Sequence, residues 1–314
     1  MHSPVATSGP SGLVELLDLE EIERNIFRGR NETGMRERLF GGQVAAQALA
    51  AAGRTVEGRA AHSLHAYFLR PGDPRVPVLY TVDRIRDGQS FTTRRVVAVQ
   101  RGQAIFSTSV SFQVPERGYE HQQLEMPAAP DPESLPTWLE RARAAGGEIQ
   151  PWARGERPVD LRHVEAPTFL GGGPRRGGNL VWFKANGVLP EDPFFHRCAL
   201  AYASDMSLLD TVVLPHGRSG PLGPVMMASL DHAIWFHTDV RADQWLLYAQ
   251  DSPSAGGARG FARGAIFTRE GALVASVAQE GLMRPTGKPE DRSLRRAQGG
   301  SWPRTSAASQ YSVA

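Results

Sequence analysis

The hydrophobic pattern of this chain contains two apolar helices, each followed by a run of alternating strands. Gly41-Gly42 opens Gln43–Ala52, which is apolar almost all round and so predicts a buried helix, with Gly53 as its stop signal. Strand-like runs follow at 63–70, 78–86, 91–100 and 104–114, with Asp87-Gly88 and Arg101-Gly102 placed as hairpin turns. The last run alternates cleanly: Phe106, Val110, Phe112 and Val114 share one face, and Ser107, Ser109, Ser111 and Gln113 the other. Further on, a strand at Leu180–Ala185 precedes Asp192-Pro193, an N-cap with proline at the first helical position. The pattern then predicts a helix from Phe194 to Leu209 and strands at 225–236, 244–251, 259–268 and 272–284. A buried helix followed by an antiparallel meander is an α+β arrangement, a sheet wrapped on a helix.

The second set repeats the first. Ser63-Leu-His-Ala-Tyr-Phe68 leads through Arg94-Arg95 to Arg101-Gly102, and Ser229-Leu-Asp-His-Ala-Ile-Trp-Phe236 leads through Arg263 to Arg269-Glu-Gly271. Phe68 to Phe236 and Arg95 to Arg263 are offsets of 168, and Gly102 to Gly271 of 169. An offset held across separated landmarks predicts two copies of one folding unit. The expected organisation is a loose leader at 1–12, a first unit at 13–118, a Pro-rich connection at 119–165, a second unit at 166–285 and a disordered tail at 286–314. A short amphipathic helix is expected at Leu13–Ile22, and another helix around 133–145.

Composition narrows the classes. With 41% hydrophobic and 22% charged residues, the chain reads as an ordinary globular protein, and a net charge of +2 suggests neither a nucleic-acid nor an anionic-membrane partner. The single cysteine, Cys198, excludes an internal disulfide and a cysteine-based zinc site. No apolar run approaches the ~20 residues of a membrane span, and Met1–Gly12 lacks a signal-peptide pattern. The expected location is cytoplasmic, with no cofactor and no metal.

Common catalytic signatures are missing: there is no G-x-S-x-G, no phosphate-cradling glycine loop and no H-E-x-x-H. The pairs His62/His65 and His232/His237 have odd spacings, so on strands neither pair shares a face, and core or surface roles are the plainer reading. Asp205 stands out. The pattern places it near the middle of the second apolar helix, where a carboxylate is costly unless it is hydrogen-bonded or opens onto a cleft. It either satisfies a neighbouring backbone group or faces a pocket as a general base. Ser229 and Gln279 fall on strands expected to wrap that helix, and a buried Gln279 needs partners of its own.

At this point the ordered motifs resemble a known family. Phe27-Arg-Gly-Arg30, Leu39-Phe-Gly-Gly-Gln-Val44, Tyr67-Phe-Leu-Arg-Pro-Gly-Asp73, Arg86-Asp-Gly-Gln-Ser-Phe91 and Tyr202-Ala-Ser-Asp205 are similar to the acyl-CoA thioesterase II (TesB-type) family. So are Asp231-His-Ala-Ile-Trp-Phe-His237, Gly257-Ala-Arg-Gly-Phe261 and Gln279-Glu-Gly-Leu-Met-Arg284, the whole set covering about residues 13–285 in family order. The resemblance implies a double hotdog fold, hydrolysis of fatty acyl-CoA to free acid and CoA, and a catalytic Asp, Thr or Ser, and Gln carried onto Asp205, Ser229 and Gln279. Ser at the middle position keeps the hydroxyl and drops the methyl that stiffens Thr. Gln47 is expected at the position in the first copy that Asp205 holds in the second, which leaves one active site per chain. Two other readings stay open: a thioesterase for carrier-protein-bound acyl groups, and a non-catalytic acyl-CoA-binding module. Arg70, Arg95, Arg259 and Arg263 are candidates to meet CoA phosphates or to pair on the surface. A homo-oligomer (dimer or tetramer) is expected because sheet edges favour pairing.

Overall fold

The computed structural model describes residues 12–32, 37–146, 157–217 and 224–286. The expected leader and tail lie almost wholly outside the described residues. In chain order the strands are β1 (Glu20–Glu23), β2 (Ile26–Gly29), β3 (Ala60–Phe68), β4 (Val78–Asp87), β5 (Phe91–Gln100), β6 (Gln103–Gln113), β7 (Val159–His163), β8 (Asn179–Ala185), β9 (Val225–Ser229), β10 (Asp231–Phe236), β11 (Leu246–Gly256), β12 (Arg259–Thr268) and β13 (Leu273–Pro285). The α-helices are α1 (Gly12–Leu17), α2 (Gly41–Gly53), α3 (Trp138–Ala144) and α4 (Pro193–Ser204).

All described strands join one antiparallel sheet in the order β1-β2-β4-β5-β6-β3-β10-β13-β12-β11-β8-β7, with β9 added against β13. From either outer edge the sequence of strand roles is the same, so the sheet is two copies of one unit meeting at β3 and β10. The meeting point follows from the offset in the sequence. Tyr67 pairs with Asp231 and Ser63 with Trp235, and these two pairs exchange under the shift of 168. A pseudo-two-fold axis therefore passes through the central pair, His65 with Ala233. This is the double hotdog: each half-sheet curls over one buried helix.

The two helices fill the space under the sheet and run antiparallel. Gly42 at the start of α2 faces the Tyr202 carbonyl at the end of α4, and Gly53 at the end of α2 faces the Phe194 ring at the start of α4. A Cβ on either glycine would overlap that neighbour. Gly and Ala predominate in α2, and Gly42 through Ala52 are all buried, so the two backbones approach closely. Propensity alone would not favour so many glycines; packing decides.

Several elements differ from expectation. The α1 helix stops at Leu17, and the charged stretch after it forms the hairpin β1–β2, turned at Asn25 with φ 64°. Its fully exposed first strand carries Glu20, Glu21 and Glu23, which hid it from an apolar-pattern reading. Strand β7 lies in the stretch read as connection, where Val159, Leu161 and His163 point inward in strict alternation. Earlier in that stretch, the described residues around 126–135 cross the outer face of the second half-sheet. Met126, Ala129 and Leu135 pack there on Trp182, Trp245 and Leu247, and the Trp182 indole donates to the Pro130 carbonyl at 2.9 Å.

Replacing Gly42 by Ala should push α2 off the Tyr202 carbonyl and cost about 1–3 kcal/mol, as overpacking does in other cores. Equilibrium urea unfolding measures this, and unchanged stability would show that the helices separate freely.

Candidate active site

Asp205 is not mid-helix. The α4 ladder ends at Ser204, and Asp205 is its C-cap, with φ −87° and ψ −7°. The apolar pattern runs on through Leu208 and Leu209, which is why the sequence reads as one long helix. The break is written in Ser204, Asp205 and Ser207, short polar side chains that compete with the helical ladder. The Ser204 hydroxyl lies 3.0 Å from the Ala201 carbonyl, Met206 N–H closes on Ala203, and the Tyr248 hydroxyl donates to the Ser204 carbonyl at 3.1 Å. The released turn swings Asp205 to the N-terminus of α2, whose first-turn amides have no partner within the helix.

The long run at 225–236 also breaks. At Leu230 it kinks, so that β9 and β10 lie end to end along β13. Leu230 N–H still bonds to the Glu280 carbonyl, and its own carbonyl accepts from Phe68 N–H. The kink changes the phase of alternation, so Ser229 and His232, three residues apart, reach the same side chain, Gln279. Gln279 lies on β13 two residues from Gly281, the pairing partner of Ser229.

These elements bring Asp205, Ser229 and Gln279 together. The Gln279 amide donates to Asp205 Oδ1 at 2.9 Å and to Ser229 Oγ at 2.6 Å, and Ser229 Oγ donates to Asp205 Oδ1 at 3.4 Å. Gln279 is fully buried, whereas Asp205 and Ser229 are half-buried and line a cleft of about 310 Å³. Leu39, Phe40, Met206, Leu209 and Met227 give that cleft apolar walls. Burial pushes the Asp205 carboxyl above its ordinary value of 3.8; neighbouring His232, the Gln279 amide, the Gly42 backbone N–H and the Ser229 hydroxyl oppose the shift. The arrangement is a carboxylate made basic by its surroundings and steadied by donors. A group of this kind is suited to taking a proton from water.

The sequence reading missed His232. Its Nδ1 lies 3.3 Å from Gln279 Oε1 and its Nε2 2.8 Å from Ser204 Oγ, and the side chain is buried. The odd spacing of His232 and His237 holds, with His232 buried and His237 exposed, but it bears only on whether those two share a face. The kink at Leu230 is what brings His232 and Ser229 to one side chain. The remaining paired histidines have other partners: His62 bonds Ser111, His65 stacks edge-on against Trp235, and His237 bonds Ser276.

Gln47 is not the counterpart of Asp205. It sits in the middle of α2, donates to the Leu16 and Arg30 carbonyls and accepts from Tyr80. Helix ends and sheet register instead equate Asp205 with Arg54, the C-cap of α2. Through the pairs Arg94 with Val110 and Phe112 with Ala61, the counterparts of Gln279 and Ser229 are Val110 and Ala61. The first copy lacks all three groups. Its helix end is closed instead by the buried Arg94, which donates to Thr55 Oγ1 and to the Thr55 carbonyl. A larger depression of about 550 Å³, lined by Lys184, Glu191, His196, Arg241 and Trp245 among others, lies away from these residues. Of the four arginines considered for phosphate contacts, Arg95, Arg259 and Arg263 pair with Asp83, Glu280 and Asp251, and Arg70 donates to the Ala104 carbonyl.

Comparison with known proteins agrees with this architecture. Residues 152–282 match the family described as acyl-CoA thioesterase, and residues 30–113 its N-terminal domain. Acyl-coenzyme A thioesterase 8 of Mus musculus is 40% identical over 288 residues, covering 87% of this chain and 88% of that protein. Acyl-CoA thioesterase 2 of Haemophilus influenzae is 38% identical over 279 residues, covering 87% and 97%. The crystal structure of the acyl-CoA thioesterase II TesB2 from Mycobacterium marinum superposes with a TM-score of 0.71 at 46% identity, covering 87% of this chain and 98% of that one.

Two expectations follow from the geometry. A Cβ on Gly41 would stand 2.7 Å from Asp205 Oδ2 and from the Phe68 ring, so Gly41→Ala should displace the carboxylate. Thiol release by that variant should fall on the order of 100-fold, the scale of an ångström's misplacement, and full activity would mean the carboxylate position is slack. The raised Asp205 pKa means that the folded state favours the protonated form. Its contribution to stability is present below the unfolded pKa and lost as pH rises through the folded one. Asp205→Asn should therefore melt at a higher temperature than wild type at neutral pH, with the difference shrinking in acid; a lower melting temperature at pH 7 would contradict the shift.

Proposed function

Because the chain belongs to the acyl-CoA thioesterase family and is a thioester hydrolase, we propose that it cleaves fatty acyl-CoA by direct attack of a water held among Asp205, Ser229 and Gln279. The carrying observation is the three-way hydrogen-bonded contact of these side chains, two of which line a cleft walled in part by Leu39, Phe40, Met206, Leu209 and Met227. The acyl chain lies against Leu39, Met206 and Met227, and the thioester carbonyl faces the first turn of α2.

Asp205 accepts a proton from the water as the water oxygen bonds to the carbonyl carbon. The Gln279 amide and the Ser229 hydroxyl hold the carboxylate and the water so that one lone pair points at that carbon. Orientation of this kind supplies several kcal/mol of a barrier. Negative charge developing on the carbonyl oxygen is met by the first-turn amides of α2, where the helix dipole is positive. Collapse of the tetrahedral intermediate breaks the C–S bond, and the departing CoA thiolate takes the proton from Asp205. Water is the nucleophile throughout, so no acyl-enzyme forms. The opposing repeat, with Arg54, Ala61 and Val110 in the corresponding places, turns nothing over.

Asp205→Asn should lower kcat for a long-chain acyl-CoA by about 10²–10⁴-fold, the usual worth of a general base, while circular dichroism stays unchanged. Turnover retained by that variant would reject the assignment. An acylated protein trapped by rapid acid quench would reject direct attack by water. A panel setting free acyl-CoA against carrier-bound acyl groups should favour the former, and the reverse preference would identify a carrier-directed hydrolase.

A further inference from the structure

We infer that His232 is a positioning residue of this site, holding the Gln279 amide in the one orientation that presents its NH2 group to Asp205 and Ser229. The inference rests on the reading of Asp205, Ser229 and Gln279 given above, and it adds a fourth member that acts through Gln279 alone.

The argument is one of donors and acceptors. Gln279 is fully buried, and its Nε2 donates to Asp205 Oδ1 and Ser229 Oγ. An ionised carboxylate only accepts, so Nε2 must carry the protons that face it, and Oε1 must point the other way. There it meets His232 Nδ1 at 3.3 Å. Two lone pairs would repel at that contact, so Nδ1 must bear a proton. A neutral imidazole has one N–H, which leaves Nε2 as an acceptor. The Ser204 hydroxyl, 2.8 Å away, supplies the proton that Nε2 accepts, giving up its alternative bond to the Ala201 carbonyl. Burial favours the neutral ring that this pattern needs, against the opposing pull of Asp205, Gln279 and Asp231.

The chain of bonds therefore runs Ser204, His232, Gln279, Asp205. The Ser204 hydroxyl, at the end of α4, fixes the tautomer of the imidazole, and the imidazole in turn fixes the amide of Gln279. Without the Nδ1 donor, the amide has no reason to prefer one orientation. In the flipped state its carbonyl oxygen would face the carboxylate, repelling it and leaving Ser229 without its donor.

The test uses the full chain and a long-chain acyl-CoA, with thiol release followed colorimetrically. His232→Asn keeps an N–H near the place of Nδ1, whereas His232→Gln keeps reach toward Ser204 without that donor, and His232→Leu removes both. The expected result is a kcat within about threefold of wild type for Asn, and losses of about 10- to 100-fold for Gln and Leu with KM little changed, on the scale of a misoriented catalytic group. In a Gln279→Ala background, adding His232→Leu should slow kcat no further, because residues acting as one unit are not additive. Losses that multiply, or an Asn variant as slow as Leu, would overturn the inference. If Leu disrupts folding, the comparison of Asn with Gln at matched melting temperature still decides. Failure of the underlying site would look different: Gln279→Ala would then retain kcat by itself, whereas an inactive Gln279→Ala beside an active His232→Leu would sink only the role of His232.

Discussion

The close antiparallel contact of α2 with α4 governs most of what this molecule does. Helices can lie this near only where side chains are small, and glycine at 42 and 53 lets backbone meet carbonyl and ring directly. Once the pair is set, the C-terminal end of each helix faces the N-terminal start of the other. A negative charge at the end of α4 would be poorly placed on an isolated helix, because the dipole there is already negative. The start of α2 offsets this, and its Gly42 N–H favours the charged carboxylate of Asp205 against burial. The environment of Asp205 is thus shared between repeats: the carboxylate comes from one, and the helix start it faces from the other.

Burial and hydrogen bonding then set a balance on Asp205. Burial makes the carboxylate a better base than it would be in water, and the donors around it oppose that shift. Ser229, Gln279 and Gly42 N–H supply those donors from a kinked strand, a regular strand and a helix start. The kink at Leu230 is therefore as important to the site as any side chain in it. Without the kink, Ser229 and His232 would point to opposite faces of the sheet.

Much of this was legible in the sequence. Helix α2, eight of the strands and the two-copy organisation follow from apolar periodicity, turn residues and the constant offset. Asp205 stood out by pattern, Ser229 and Gln279 drew interest from the repeat and their strands, and the resemblance joined the three into one site. The rest was hidden for physical reasons. Apolar periodicity continues past Ser204, so it could not register a backbone that leaves the helix while its side chains stay buried. Strand β1 carries glutamates on both faces, and periodicity has nothing to read there. His232 was masked because period two compared it with His237 alone, whereas its convergence with Ser229 depends on the kink at Leu230. Gln47 was misplaced because a polar residue within an apolar helix looks equivalent to another until the helix ends are aligned.

The pseudo-dyad through His65 and Ala233 has a consequence for how such a molecule can change over generations. In an assembly of two identical subunits, any substitution at one helix end appears at both, so a gain for chemistry at one end is imposed on the other. Joining the halves in one chain removes that obligation. Here one helix end is closed by a buried guanidinium, Arg94 on Thr55, and the other carries a carboxylate that burial disfavours. Within one chain, two demands that symmetry would force into one compromise are free to part: a helix end sealed by hydrogen bonds, and a helix end holding a buried carboxylate.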